Sequence, residues 1–148
     1  MCIRDRLGTA SYLRNLPAVL LEALRVLKPG GRLFLSFENA DALVYDWPYL
    51  PWEVGIGSEI NKKKRCLDVY FEGKTYQVYA RPYTVEEVRQ LLSDGIQLNQ
   101  ILTYPTVSAI LPSAVLEEKA TFESIAEIDR HLAKGTGGAY VIAAGRRV

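Results

Sequence analysis

The feature that most constrains this chain is the run Glu22-Ala-Leu-Arg-Val-Leu-Lys-Pro-Gly-Gly-Arg-Leu-Phe-Leu-Ser-Phe-Glu38. Pro29 cannot continue a helix and pushes Lys28 out of the α region. Gly30 and Gly31 supply backbone conformations that residues with a Cβ avoid. A helix therefore ends at this turn and a strand begins at Arg32. Leu33-Phe34-Leu35 shows no polar alternation, which predicts an interior strand of a largely parallel sheet with both faces covered. A helix feeding such a strand restricts the chain to an α/β architecture.

The flanking sequence agrees. Asn15–Leu27 reads as a helix with Asn15 as N-cap and Pro17 in the first turn. Its apolar stripe is Leu16, Leu20, Ala23, Leu24 and Leu27. Thr84-Val-Glu-Glu87 is a capping box opening a helix to about Ser93 that buries Val85, Val88, Leu91 and Leu92, with Asp94-Gly95 as its stop. Ile96–Tyr104 reads as a strand. Its parity breaks at Gln100-Ile101, which predicts a bulge, and Pro105 ends it. Residues 106–119 are ambiguous, with a helical piece over Ser113–Glu118. Thr121–Lys134 is expected as a helix capped by Thr121, turning Phe122, Ile125, Ile128 and Leu132 inward. Ala139–Ala144 is the last strand.

Two further stretches break the α/β rhythm. Asp46–Ser58 is a loop crowded with Trp47, Pro48, Tyr49, Pro51, Trp52, Gly55 and Gly57. It either closes over a ligand or pins itself to the core. Leu67–Phe71 and Thr75–Ala80 alternate as half-exposed strands around Glu72-Gly73-Lys74, so an inserted β-hairpin over about 59–81 is expected. The basic run Asn61-Lys-Lys-Lys-Arg65 reads as a solvated loop.

Arg25-Val-Leu-Lys-Pro-Gly-Gly31, with the strand that follows it, resembles the segment entering the fifth strand of class I S-adenosylmethionine-dependent methyltransferases. Arg81-Pro-Tyr-Thr84 resembles the start of that family's next helix. Gly138-Ala-Tyr-Val-Ile-Ala-Ala-Gly145 resembles its last strand, which is antiparallel and lies between the two before it. The implied fold is α/β, a partial Rossmann-like sheet made of the last three strands with helices and an inserted hairpin. The resemblance covers Leu7–Val148, the C-terminal portion of the domain. The fourth strand is expected upstream of Leu7 and missing. The family's glycine-rich cofactor loop is not in this sequence: Gly135-Thr-Gly-Gly138 follows a helix, the wrong context, and reads as a turn.

The resemblance implies S-adenosyl-L-methionine as cofactor and methyl transfer to a small molecule, with this chain alone inactive. In open α/β sheets ligands gather outside the carboxyl ends of the strands. The candidate substrate-binding residues are therefore Tyr12, Glu38, Asn39, Tyr79 and Arg81, with Tyr70 and Tyr76 also on the insertion. Glu38 and Asn39 could instead cap the next turn, and the tyrosines could form cross-strand pairs. No catalytic base is singled out. His131 falls beside Arg130, off the helix's apolar stripe, and reads as a surface residue. The alternative is a non-enzymatic binding module, a homodimer or half of a complex, pairing through an open sheet edge beside Leu33–Phe37.

Composition sets the outer bounds. The chain has 148 residues, 49% of them hydrophobic, which suits one domain with a real core. A formal net charge of +1 gives no electrostatic pull toward nucleic acid or an anionic membrane. Two cysteines, Cys2 and Cys66, and the one histidine make a disulfide scaffold or zinc site improbable, and a reducing cytoplasm is expected. Met1-Cys-Ile-Arg-Asp-Arg6 can be written in codons as ATG TGT ATA AGA GAC AGR, resembling a transposon end used to fragment DNA for sequencing. Residues 1–6 are accordingly expected to be an adapter artefact.

Overall fold

The Lys28–Gly31 turn forms as the sequence demands. Gly30 takes φ 73°, its N–H donates to the Arg147 carbonyl at 2.9 Å, and the Gly31 N–H donates to Lys28 at 2.8 Å. The turn is thus tied to the last strand as well as to its own helix. The computed structural model describes residues 2–4, 8–45, 56–61 and 63–148. Residues 46–55 of the aromatic stretch 46–58, including Trp47, Tyr49 and Trp52, lie outside the described residues, as do 1, 5–7 and 62.

The helix before the turn is α1 (Leu16–Val26) and the strand after it is β2 (Arg32–Glu38). Asn15 stands at the N-cap position without a side-chain cap bond. Its backbone is not in the extended region that capping favours. A four-stranded sheet has the order β1-β2-β7-β6, with β1 (Cys2–Arg4), β6 (Ile96–Tyr104) and β7 (Tyr140–Arg147). β7 runs antiparallel to both neighbours and lies between them, as expected. The register shift in β6 falls between Leu98 and Gln100, one residue before the expected break.

β1 is a difference from the sequence reading. That reading left the flank of β2 bare; instead Cys2–Arg4 pairs with it in parallel, Ile3 opposite Leu33. Extended backbone with free N–H and C=O groups satisfies them on an unpaired neighbour whatever its side chains.

One face of this sheet is the core. Leu33, Leu35 and Phe37 of β2 and Val141 and Ala143 of β7 meet Leu16, Leu20 and Leu27 at α1, and Val88 and Leu92 of α2 (Val85–Leu92). Each large side chain so buried contributes about 1.5–3 kcal/mol. Both halves of the α2 capping box are present: Glu87 N–H donates to Thr84 Oγ1 at 3.1 Å and Thr84 N–H to Glu87 Oε2 at 2.9 Å. On the opposite face Phe34, Ile142 and Ala144 are half-buried, so the expected cover on both faces is complete on one.

The insertion is larger than a hairpin. β3 (Ile56–Asn61), β4 (Cys66–Phe71) and β5 (Lys74–Tyr79) form a separate three-stranded antiparallel sheet. Glu72 and Gly73 both have positive φ, 48° and 73°. The β4–β5 loop is therefore a two-residue type I′ turn rather than the three-residue loop expected. β3 draws residues 56–58 out of the supposed loop, because β4 offers a full edge for them to pair.

The C-terminal helices are α3 (Ser113–Leu116) and α4 (Lys119–Leu132). Glu118, not Thr121, stands at the cap of α4, and Thr121 Oγ1 donates to its carboxylate at 2.6 Å. The expected inward stripe is only partly right. Ile125 is buried, but Phe122, Ile128 and Leu132 are 48%, 47% and 42% exposed. The other inward residue is Asp129, fully buried. Its Oδ1 accepts from the N–H groups of Thr106 (2.9 Å) and Val107 (2.6 Å). Its Oδ2 accepts from Ser108 N–H (3.2 Å) and Ser108 Oγ (2.5 Å). Burial alone would raise this carboxyl; the Ser108 hydroxyl and the three N–H groups outweigh it and hold it below the usual aspartate range. α4 is thus anchored to the loop after β6 by a charge instead of by an apolar ridge.

Candidate functional site

β2 delivers Glu38 to the carboxyl end of the sheet. The turn before α1 is fastened there by a reciprocal pair: Gly8 N–H donates to Ser36 Oγ at 2.9 Å, and Glu38 N–H donates to Ser11 Oγ at 2.8 Å. Gly8 has φ 71°, and a Cβ there would stand 2.8 Å from Glu38 Oε1, so the approach needs glycine. The single 3-10 turn Thr9–Tyr12 then carries Tyr12 over the strand end.

Glu38 becomes the centre of a group of phenols. The Tyr12 hydroxyl donates to Oε1 and the Tyr45 hydroxyl to Oε2, each at 3.0 Å. Tyr45 comes from the short turn Leu43–Tyr45, which is pinned by Leu43 N–H to the Gly137 carbonyl at 3.0 Å. Tyr140, first residue of β7, is the register partner of Glu38. These four side chains, with Val44 and Leu67, line a recess of about 440 Å³. Leu67 belongs to β4, so the inserted sheet helps to wall it.

The electrostatics follow from burial. Desolvation pushes the Glu38 carboxyl above the ordinary glutamate range, and the Tyr45 and Tyr12 hydroxyls partly offset it. Burial and the adjacent carboxylate push the Tyr12, Tyr45 and Tyr140 phenols upward, so all stay protonated. Among the described residues no Lys or Arg forms an ion pair with Glu38.

The five candidates separate. Tyr12 and Glu38 meet in this recess. Asn39 is fully buried and its amide is engaged. Nδ2 donates to the carbonyls of Thr136 and Gly138, both at 2.6 Å, and Oδ1 accepts from Asp41 N–H at 3.1 Å. It knots the end of β2 to the turn before β7, the turn-capping alternative. Tyr79 and Arg81 form a second group. The Arg14 guanidinium lies 4.9 Å from the centre of the Tyr79 ring and Arg81 4.5 Å from that of Tyr83. Arg81 also pairs with Glu87 at 3.3 Å. Tyr76 is 49% exposed on β5. His131 is exposed on α4 beside Glu127.

Sequence reasoning missed Tyr45 and Tyr140. A usable signal existed for Tyr140: if the last strand is antiparallel to β2, its first residue must stand at the carboxyl end of β2. Tyr45 carried none, because the turn that aims it depends on a contact with Gly137 far along the chain.

No protein-family model and no curated protein sequence matches the chain. Solved structures do. A putative S-adenosylmethionine-dependent methyltransferase from Listeria monocytogenes superposes with a TM-score of 0.51 at 16% identity, over 99% of this chain and 61% of that one. An S-adenosylmethionine-dependent methyltransferase from Mesorhizobium loti gives 0.48 at 14% identity, with the same coverage of 99% and 61%. The chain thus spans about three fifths of the length of these structures. The Listeria match establishes the fold: the Rossmann-like α/β fold of class I methyltransferases, as the Lys-Pro-Gly-Gly turn and the inserted last strand implied.

Proposed function

We propose that this chain is the acceptor-side portion of an S-adenosylmethionine-dependent methyltransferase that acts on a small molecule. The fold supports the class. The observation that carries the reading is the Glu38 recess: concave, phenol-lined, of small-molecule size, and set at the carboxyl end of the sheet.

The described residues do not build a cradle for the cofactor. Such a cradle needs a glycine-rich turn at a strand's carboxyl end with N–H groups free to face the ligand. Gly8 is the one positive-φ glycine so placed among the described residues, and its N–H already donates to Ser36. Gly30 lies at the other end of β2, Gly73 at a hairpin tip and Gly95 before β6. The chain's own part is to bind and orient the acceptor. The phenols and Leu67 exclude water from one side, and Glu38 holds a negative charge, or a proton, at the strand end.

By this reading the 148-residue chain alone is inactive and does not bind the cofactor. The test is to read the source locus upstream of the Leu7 codon, express the continuous frame, and titrate its product and the 148-residue chain with S-adenosylmethionine by calorimetry. The extended product is expected to bind and the shorter chain to give no heat. Tight binding by the shorter chain, or none by a folded extended product, overturns the reading.

A binding module that pairs through its sheet remains the second reading. The β2 flank that this reading needs is occupied at both ends among the described residues: Cys2–Arg4 pairs with Arg32–Phe34, the Glu38 N–H donates to Ser11 Oγ, and the Glu38 carbonyl accepts from the Tyr83 N–H. A homodimer by sedimentation equilibrium would support it. Cytoplasmic location is consistent with the buried free thiol of Cys66. No helix among the described residues is long and apolar enough to cross a membrane.

A further inference from the structure

The Glu38 recess has a charge that nothing described balances. Its carboxylate is largely removed from water, yet its near neighbours are neutral phenols and a leucine. Two hydroxyl donors satisfy one lone pair on each oxygen and leave the others open. A buried carboxylate held only by neutral donors is costly, and a cation returns that cost when it arrives. Phenol rings beside it favour the same ligand, since their π faces attract an ammonium group.

Other ligand classes fit less well. An anion meets Glu38 with repulsion. A neutral alcohol leaves its charge uncompensated. A metal ion would find a single carboxylate, and no group of three metal-binding side chains exists among the described residues.

We propose that the recess bounded by Tyr12, Glu38, Tyr45 and Tyr140 binds the cationic nitrogen of an alkylammonium ligand, with Glu38 as its counter-ion. This deepens the functional reading above and rests on it only in making that ligand, once its ammonium has given a proton to the Glu38 carboxylate or to water and regained a lone pair, the methyl acceptor. The carboxylate fixes where the nitrogen sits, and Val44 and Leu67 receive the alkyl substituents.

The test uses the whole chain with its tyrosine rings labelled for NMR. Choline and its uncharged carbon isostere, 3,3-dimethylbutan-1-ol, are titrated in parallel. Choline is expected to shift the Tyr12, Tyr45 and Tyr140 ring signals and to bind roughly tenfold or more tightly than the isostere. Glu38→Gln should remove most of that preference, while Tyr45→Phe, which keeps the ring, should retain it. Equal binding of the two probes, or no shift with either, overturns the proposal without recourse to any variant. Trimethylsulfonium binding roughly tenfold more tightly than trimethylammonium would assign the recess to a sulfonium donor and overturn the amine assignment. Methyl transfer is not read here. Charge-selective binding by a chain whose extended form ignores S-adenosylmethionine would sink the enzyme reading alone. Charge-blind binding beside a working methyltransferase would sink this inference alone.

Discussion

Asp129→Asn should lower stability far more than its near-identical shape suggests. In the structure one carboxylate accepts four hydrogen bonds from the segment Thr106–Ser108. The amide keeps one acceptor oxygen, for Thr106 and Val107, and turns an NH₂ toward the Ser108 N–H, donor against donor. Loss of charge on the two retained bonds costs about 1 kcal/mol in total, and an unpaired buried N–H about 1–3 kcal/mol more. The sum is about 2–4 kcal/mol. At about 2–4 °C per kcal/mol for a chain of this length, the midpoint should fall by about 4–16 °C. Urea unfolding followed by circular dichroism measures it. The pH dependence gives a second handle. The folded-state pKa of Asp129 is depressed. Its contribution is therefore fully present above the unfolded aspartate value, about 4, and lost as pH falls through the lower folded value. The wild-type advantage over Asp129→Asn should fade in that window. A neutral-pH difference under about 0.5 kcal/mol, or one that persists unchanged into strong acid, would refute the anchoring role.

Glu38 should behave in the opposite sense. Its folded pKa is raised by burial. The stability it confers is present below the unfolded glutamate value and is lost as pH rises through the folded one. Glu38→Gln should therefore match or exceed wild type in thermal scans at pH 8 and lose that advantage at pH 4; a variant less stable at pH 8 would contradict the buried-charge description. Thr106→Val removes a buried hydroxyl that finds no hydrogen-bond partner among the described residues, so its unfolding free energy should stay within about 1 kcal/mol of wild type or rise. Asn39→Ala deletes the three hydrogen bonds of a fully buried side chain and should cost about 2–4 kcal/mol in urea while leaving the choline preference over its isostere intact. A selective loss of choline binding in that variant would restore Asn39 as a ligand contact.

The parts of the fold that were legible are those dictated by local chemistry. Pro29-Gly30 ends a helix wherever it occurs, Thr84 and Glu87 cap one through neighbouring backbone, and the parity break before Ile101 is a property of a single strand. The parts that were not depend on partners distant in sequence. Gly57-Ser58-Glu59 shows no alternation, and becomes strand because β4 offers an edge. Phe122, Ile128 and Leu132 have the spacing of a buried stripe, but α4 meets the rest of the protein chiefly through Ile125 and Asp129. A charged residue between Ile128 and Arg130 looks like surface until the loop at 106–108 turns its N–H groups toward it. The site divides the same way. Glu38 and Tyr12 were readable from their places at the carboxyl edge of the sheet, whereas Tyr45 and Tyr140, the other phenols that give the site its chemical character, come from two further segments distant in sequence.

The central claim is that this fold portion presents an amine to a methyl donor. It is tested most directly by following labelled methyl from S-adenosylmethionine onto a panel of small alkylamines and matched alcohols, using the product of the continuous reading frame and its Glu38→Gln variant. Labelled amine in the wild-type reaction, sharply reduced in the variant, is the expected result. A folded product that binds the donor but labels no amine in the panel would contradict it.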